Sequence, residues 1–155
     1  MDIDGLWGLI ILNHSFEHMP NPLEVMNKIF ELLSPDGYCA IAIPIIDSYA
    51  WEKYGVNWVQ LDAPRHFFIH SIESMRILAD KSGLVLTAIH YNSTSFQIWG
   101  SEQYLQGVTL FDKKSYLVNK KNSLFSKNGI REFENEAQKL NAKGKGDQAI
   151  FVFKK

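Results

Sequence analysis

The stretch from Trp7 to Pro44 constrains this chain more than any other. It strings together an uninterrupted apolar run, a turn rich in ionisable groups, a helix with marked ends and a second apolar run. Gly8-Leu-Ile-Ile-Leu12 has no polar alternation, which is the pattern of a strand buried on both faces, as parallel strands under helices are. Asn21 reads as a helix N-cap, Pro22 as the first helical residue, and Glu24 as the acid of the first turn, near the positive end of the helix dipole. Leu23, Met26, Ile29, Phe30 and Leu33 recur as its buried stripe. Ser34-Pro35-Asp36-Gly37 stops the helix, and Tyr38 to Ile43 is the second apolar run, closed by Pro44. Two strands joined by such a helix form a βαβ unit with a right-handed crossover.

Residues 45–70 form a long connection with Trp51, Tyr54 and Trp58, then Leu61-Asp-Ala-Pro-Arg-His-Phe-Phe-Ile-His70. A connection of that length in a compact α/β domain reads as a binding loop. Ser71 is placed to cap a helix whose apolar face is Ile72, Met75, Leu78 and Ala79 and which ends at Ser82-Gly83; Leu84–Ile89 follows as a third strand. Residues 92–142 read as a helical insertion: mixed polar and aromatic short helices over the sheet edge to about 128, then an amphipathic helix on Ile130, Phe133, Ala137 and Leu140. Gln148–Phe153 is the last strand.

The chain has 155 residues, 46% of them apolar, enough for the core of a single domain spanning 1–155. Its formal net charge of −1 gives no global field for nucleic acid. Residues 1–50 carry seven acids against Lys28 alone, whereas 111–131 carry six basic residues against Asp112, a bias that reads as a solvated face. Cys39 is the only cysteine and sits inside the second strand, so it reads as a buried thiol. The longest apolar run, Tyr38–Ile46, is too short to span a bilayer, and Met1-Asp-Ile-Asp lacks the features of a secretory signal; the expectation is a cytoplasmic protein with no membrane partner.

The string Leu9-Ile-Ile-Leu-Asn-His-Ser-Phe-Glu-His-Met-Pro-Asn-Pro22, then Leu32-Leu-Ser-Pro-Asp-Gly-Tyr38, then Ala40-Ile-Ala-Ile-Pro44 closely resembles the fourth strand, following helix and fifth strand of Rossmann-like S-adenosylmethionine-dependent methyltransferases. Trp58, Asp62-Ala-Pro-Arg-His66, the Ser71–Ser82 helix and Gly83 resemble the segment before that family's sixth strand. The ending Gly146-Asp-Gln-Ala-Ile-Phe-Val-Phe-Lys-Lys155 resembles its final strand. The resemblance implies an α/β fold with the family's strands in the order four, five, seven, six, the last antiparallel. It covers only the carboxyl-terminal half of the family's fold. The opening strand with its Gly-rich loop, and the second strand ending in a ribose-binding acid, have no counterpart; Gly144 and Gly146 precede the last strand and read as a plain loop.

Asn13, His14, Ser15, Phe16, Glu17 and His18 follow directly on the first strand, at the sheet edge where α/β proteins place ligands. His14-Ser-Phe-Glu-His18 satisfies the H-x-x-E-H spacing of inverted zinc proteases, but that chemistry needs one continuous helix, and a strand before His14 with Pro20 and Pro22 after it forbids one. The resemblance implies that Asn13 and His14 flank the methionine end of S-adenosylmethionine, and that Trp51, Tyr54, Trp58 and Arg65 line the acceptor side. In ubiquinone-pathway and small-RNA methyltransferases a similar turn holds a divalent metal. The matching positions here are His14, Glu17 and His18, with His66 or His70 from the loop, and an imidazole in place of the first carboxylate suits zinc, manganese or iron better than magnesium. His66 is alternatively a general base toward an acceptor hydroxyl. His66 and His70, four apart on an extended segment, fall on one side.

The expected parent activity is methyl transfer to a small-molecule or glycan-type acceptor, with this chain inactive by itself and its partner either a missing amino-terminal half or a second copy. The rival expectation is a non-catalytic half-fold that pairs through the exposed edge of Gly8–Leu12.

Overall fold

The computed structural model describes residues 5–155, which divide into two compact units; Asp2 and Asp4 lie outside the described residues. Its strands are β1 (Trp7–Asn13), β2 (Leu33–Pro44), β3 (Val85–Tyr91) and β4 (Gln148–Lys154). Its α-helices are α1 (Pro22–Leu32), α2 (Tyr49–Tyr54), α3 (Ile72–Ser82), α4 (Phe96–Leu105) and α5 (Lys127–Ala142). No helix among the described residues is long and apolar enough to cross a membrane.

The first unit holds residues 5–46, 63–90 and 148–155. Its sheet runs β1-β2-β4-β3, with β1 parallel and β4 antiparallel to β2. This is the four-five-seven-six order that the resemblance implies. Cys39, Ile41 and Ile43 stand opposite Phe153, Phe151 and Ala149, and all six are fully buried. Each large side chain removed from water in such a row contributes roughly 1.5–3 kcal/mol. Helices α1 and α3 pack against each other and bury Met26, Ile29, Met75 and Ala79.

Three local expectations need correction. Strand β1 is not buried on both faces: Leu9 is 57% and Ile11 64% exposed. It is the edge strand, and among the described residues nothing covers the face these two share, so a sequence written for a two-sided interior meets solvent on one side. Asn21 occupies the N-cap of α1 but makes no side-chain cap; its amide donates to the Glu24 carboxylate at 3.2 Å instead. Ser34–Gly37 belongs to β2 rather than lying ahead of it, as an irregular stretch between the pairs Trp7–Leu33 and Leu9–Tyr38. Gly37 is required there, because a Cβ would come within 2.8 Å of the Trp7 carbonyl oxygen. Helix α3 forms as expected, with Ser71 and Ser74 in a reciprocal capping box and Gly83 closing it at φ 78°.

The second unit holds residues 47–62 and 91–147. Tyr54, Trp58, Val59, Ile98, Trp99, Ala137 and Leu140 form its core. Residues 92–126 contain the single helix α4 followed by turns, in place of several short helices. The buried Gln103 side chain anchors those turns, donating to Ser115 Oγ at 3.2 Å and accepting from the Tyr116 N–H at 2.7 Å.

Candidate functional site

Four ligating side chains of the first unit, His14, Glu17, His18 and His66, gather beyond the carboxyl end of β1. His14 leaves β1 in the left-handed region, at φ 48°, with its N–H donated to the Ala42 carbonyl at 3.0 Å. Left-handed backbone at a bulky residue is uncommon and costs energy. It turns the chain out of the strand into a short 3-10 turn, Phe16–His18, which the fully buried Phe16 ring anchors against His70 at a centroid distance of 5.2 Å.

Glu17 lies at the centre. Its side chain is 1% exposed, and neither carboxylate oxygen has a hydrogen-bond partner among the described residues. His14 Nδ1 stands 3.3 Å and His66 Nε2 4.0 Å from Glu17 Oε1. One ligand atom each from Glu17, His18 and His66 lie within 4.8 Å of one another. His14 contacts the carboxylate but is not a member of that mutual cluster, and its side chain is 39% exposed.

Main-chain bonds bring the loop to the turn. The Glu17 carbonyl accepts from the N–H groups of Phe67 at 2.9 Å and Phe68 at 3.4 Å. His18 Nδ1 is 2.9 Å from the Arg65 carbonyl oxygen, and since a carbonyl only accepts, Nδ1 carries the proton. In the neutral ring, Nε2 of His18 therefore holds the free lone pair. The His18 and His66 rings are 4.8 Å apart.

Of the two loop histidines, the structure brings His66 to Glu17 and not His70. His70 pairs in a parallel bridge with Ile45 and is 5% exposed between Phe16 and Phe68, with Nδ1 3.3 Å from Ser74 Oγ. Burial pushes its imidazole down to about 4, so it is neutral at physiological pH. The expectation that both fall on one side fails because the chain turns between them instead of running straight. Asn13 ends β1 exposed, opposite Ala42, and Arg65 is exposed on the loop.

The three aromatic acceptor candidates lie in the second unit. Trp51 is half-buried, its ring 6.3 Å from that of Trp58. Tyr54 is 4% exposed and donates its hydroxyl to Glu102 at 2.8 Å. Trp58 is 1% exposed and donates its indole N–H to the buried Asp147 carboxylate at 2.9 Å, so in this state it offers a substrate no surface. Sequence reasoning passed over Asp147, whose partners Trp58 and Gln60 lie far from it along the chain.

Residues 3–89 match the family model described as "Methyltransferase domain". No curated protein matches the chain. Among solved structures, a SAM-dependent methyltransferase from Archaeoglobus fulgidus superposes with a TM-score of 0.54 at 17% identity, over 98% of this chain and 61% of that one. A SAM-dependent methyltransferase from Thermotoga maritima gives 0.53 at 14% identity, over 95% and 55%. A cyclopropane synthase from Mycobacterium tuberculosis gives 0.51 at 16%, over 99% and 57%. The chain thus spans between about half and three fifths of the length of these structures.

Proposed function

The chain belongs to the methyltransferase-domain family, and we propose on that premise that it is the carboxyl-terminal portion of an S-adenosylmethionine-dependent methyltransferase acting on a small-molecule acceptor. The observation that carries the reading is the exposed pair Asn13 and His14 at the carboxyl end of β1, within the matched residues. Their amide and imidazole suit the polar methionyl end of the cofactor. The fit is to one end of the molecule, since the resemblance finds no counterpart here for the Gly-rich loop and the ribose-binding acid.

Bound cofactor supplies a sulfonium methyl for in-line displacement. The protein's part in such a transfer is to position the acceptor and, for a hydroxyl, to take its proton. We assign that proton to His66, whose Nε2 lies 4.0 Å from Glu17 Oε1 beside the turn. A metal-assisted variant, in which an ion on the turn orients an acceptor hydroxyl, is the weaker form of the reading; the buried Glu17 carboxylate favours it.

A second reading, a non-catalytic half-fold that pairs through its sheet edge, is supported by the exposed apolar face of β1. Calorimetry of the purified chain with S-adenosylmethionine and S-adenosylhomocysteine tests the first. The chain alone is expected to give no saturable binding, and a polypeptide supplying the remaining strands to restore it. Tight stoichiometric binding by the chain alone would overturn the half-site part of the proposal, and no binding even with the added half would overturn methyl transfer.

A further inference from the structure

We propose that Glu17, His18 and His66 bind a divalent first-row transition-metal ion, zinc foremost, and that this ion clasps the turn after β1 to the loop at residues 63–70. The inference rests on the metal-assisted form of the methyl-transfer reading, whose ion it assigns to named donors. Its test uses ions alone and no cofactor, so its failure and the failure of methyl transfer are distinguishable.

Two independent observations carry it. The first is the cluster itself, one carboxylate and two imidazoles with a ligand atom each within 4.8 Å of the others. The second is the state of Glu17, a carboxylate 1% exposed with no hydrogen-bond donor on either oxygen among the described residues. A buried carboxylate is costly unless donors or a cation compensate it, and here the imidazoles of His14 and His66 stand 3.3 Å and 4.0 Å from Oε1.

The donor set selects the ion. Two nitrogens and one oxygen suit zinc or a neighbouring transition metal, whereas magnesium and calcium require oxygen shells. His18 is prepared in the way metal-bound histidines usually are: its Nδ1–H donates to the Arg65 carbonyl, which orients the ring and leaves Nε2 to ligate. Three protein donors are one short of the usual tetrahedral zinc shell; His14 Nδ1 lies 3.3 Å from Glu17 Oε1 but outside the cluster.

The clasp follows from where the donors sit. Glu17 and His18 belong to the turn, and His66 to the loop, which main-chain bonds to the Glu17 carbonyl already hold in register. An ion shared by the three would bind the folded chain in preference to the unfolded one and so raise the unfolding temperature. A ligated His66 has no free lone pair, so its role as a base belongs to the ion-free chain.

The test is titration of the metal-stripped chain with Zn2+ by calorimetry and with Co2+ by visible absorption, repeated on Glu17→Gln, His66→Ala and, as a control on an exposed histidine of β3, His90→Ala. One equivalent should bind, with a Co2+ ligand-field band of low-coordinate geometry. Glu17→Gln and His66→Ala should each weaken binding by roughly 100-fold or more, beyond what loss of an outer-shell partner costs, and His90→Ala should leave it unchanged. Thermal unfolding supplies a readout that separates ligation from misfolding. Without metal, Glu17→Gln should unfold at the wild-type temperature or above it, since it removes a buried carboxylate with no hydrogen-bond donor among the described residues, whereas added Zn2+ should raise the transition of the wild type only. Absence of saturable binding, or binding that survives both ligand substitutions, would overturn the proposal.

Discussion

The indole N–H of Trp58 donates to Asp147 Oδ2 across 2.9 Å inside the second unit, where Trp58 is 1% exposed and Asp147 fully buried. Gln60 Nε2 reaches the same oxygen at 2.7 Å. Burial raises the Asp147 carboxyl above its ordinary value, and these donors oppose that rise without cancelling it. The bond joins the segment ahead of residue 62 to the residue that leads into β4.

Replacing Trp58 by Phe keeps most of the buried ring but leaves the carboxylate one donor short. The cost should be about 1–3 kcal/mol, the usual penalty for a buried polar group that loses its partner. Urea unfolding should show a lower midpoint at unchanged slope. A substitution within experimental error of wild type would mean that the remaining donors, Gln60 and Ser93, satisfy Asp147.

His70 makes stability depend on pH. Its native value, about 4, lies below the unfolded value of 6.5 because burial disfavours the imidazolium. Above pH 6.5 both states are neutral and the group contributes no dependence. As pH falls from about 6.5 to about 4 the unfolded chain takes up a proton that the native chain refuses, so stability falls across that window, by up to about 3 kcal/mol. The raised Asp147 carboxyl works in the opposite sense, gaining stability as pH falls, so the difference between wild type and His70→Asn isolates the histidine. That difference should grow steadily below pH 6.5; a flat difference would refute the assignment.

Cys39 should be chemically silent in the folded chain. It is fully buried in β2 opposite Phe153, and burial pushes its thiol up to about 12, leaving negligible thiolate at neutral pH. A disulfide reagent should titrate no thiol under native conditions and one in denaturant, at a rate set by unfolding.

How much of this was legible in the sequence differs by length scale. Helix ends marked by local chemistry, such as Ser71 and Gly83, are visible because their partners lie within a few residues. The strand order came from resemblance, since nothing in Gln148–Phe153 itself says that β4 inserts beside β2. The site was legible in part: Glu17, His18 and His66 could be named, but even spacing also favoured His70. Only the fold shows that the chain turns between the two, sending His70 toward Phe16 and His66 toward Glu17. The apolar run Gly8–Leu12 reported a strand correctly and its burial wrongly, because hydrophobicity records the surface a strand is written to meet, not what covers it within the residues described.

That mismatch gives the last prediction. Leu9 and Ile11 share one face of β1, are both more than half exposed, and stand on a strand whose outer edge has no partner among the described residues. An apolar edge of this kind templates pairing with another strand. The purified chain should therefore associate as its concentration rises, and Ile11→Lys should suppress that association, since a charge on an edge strand penalises the paired state. Because the native side chain is already in water, the same change should alter the folding free energy by no more than about 0.5 kcal/mol. Light scattering after size exclusion, together with urea unfolding, separates the two effects. A wild-type chain that stays monomeric at every concentration would remove the edge as a pairing surface, and a large loss of stability in Ile11→Lys would mean that this face is covered.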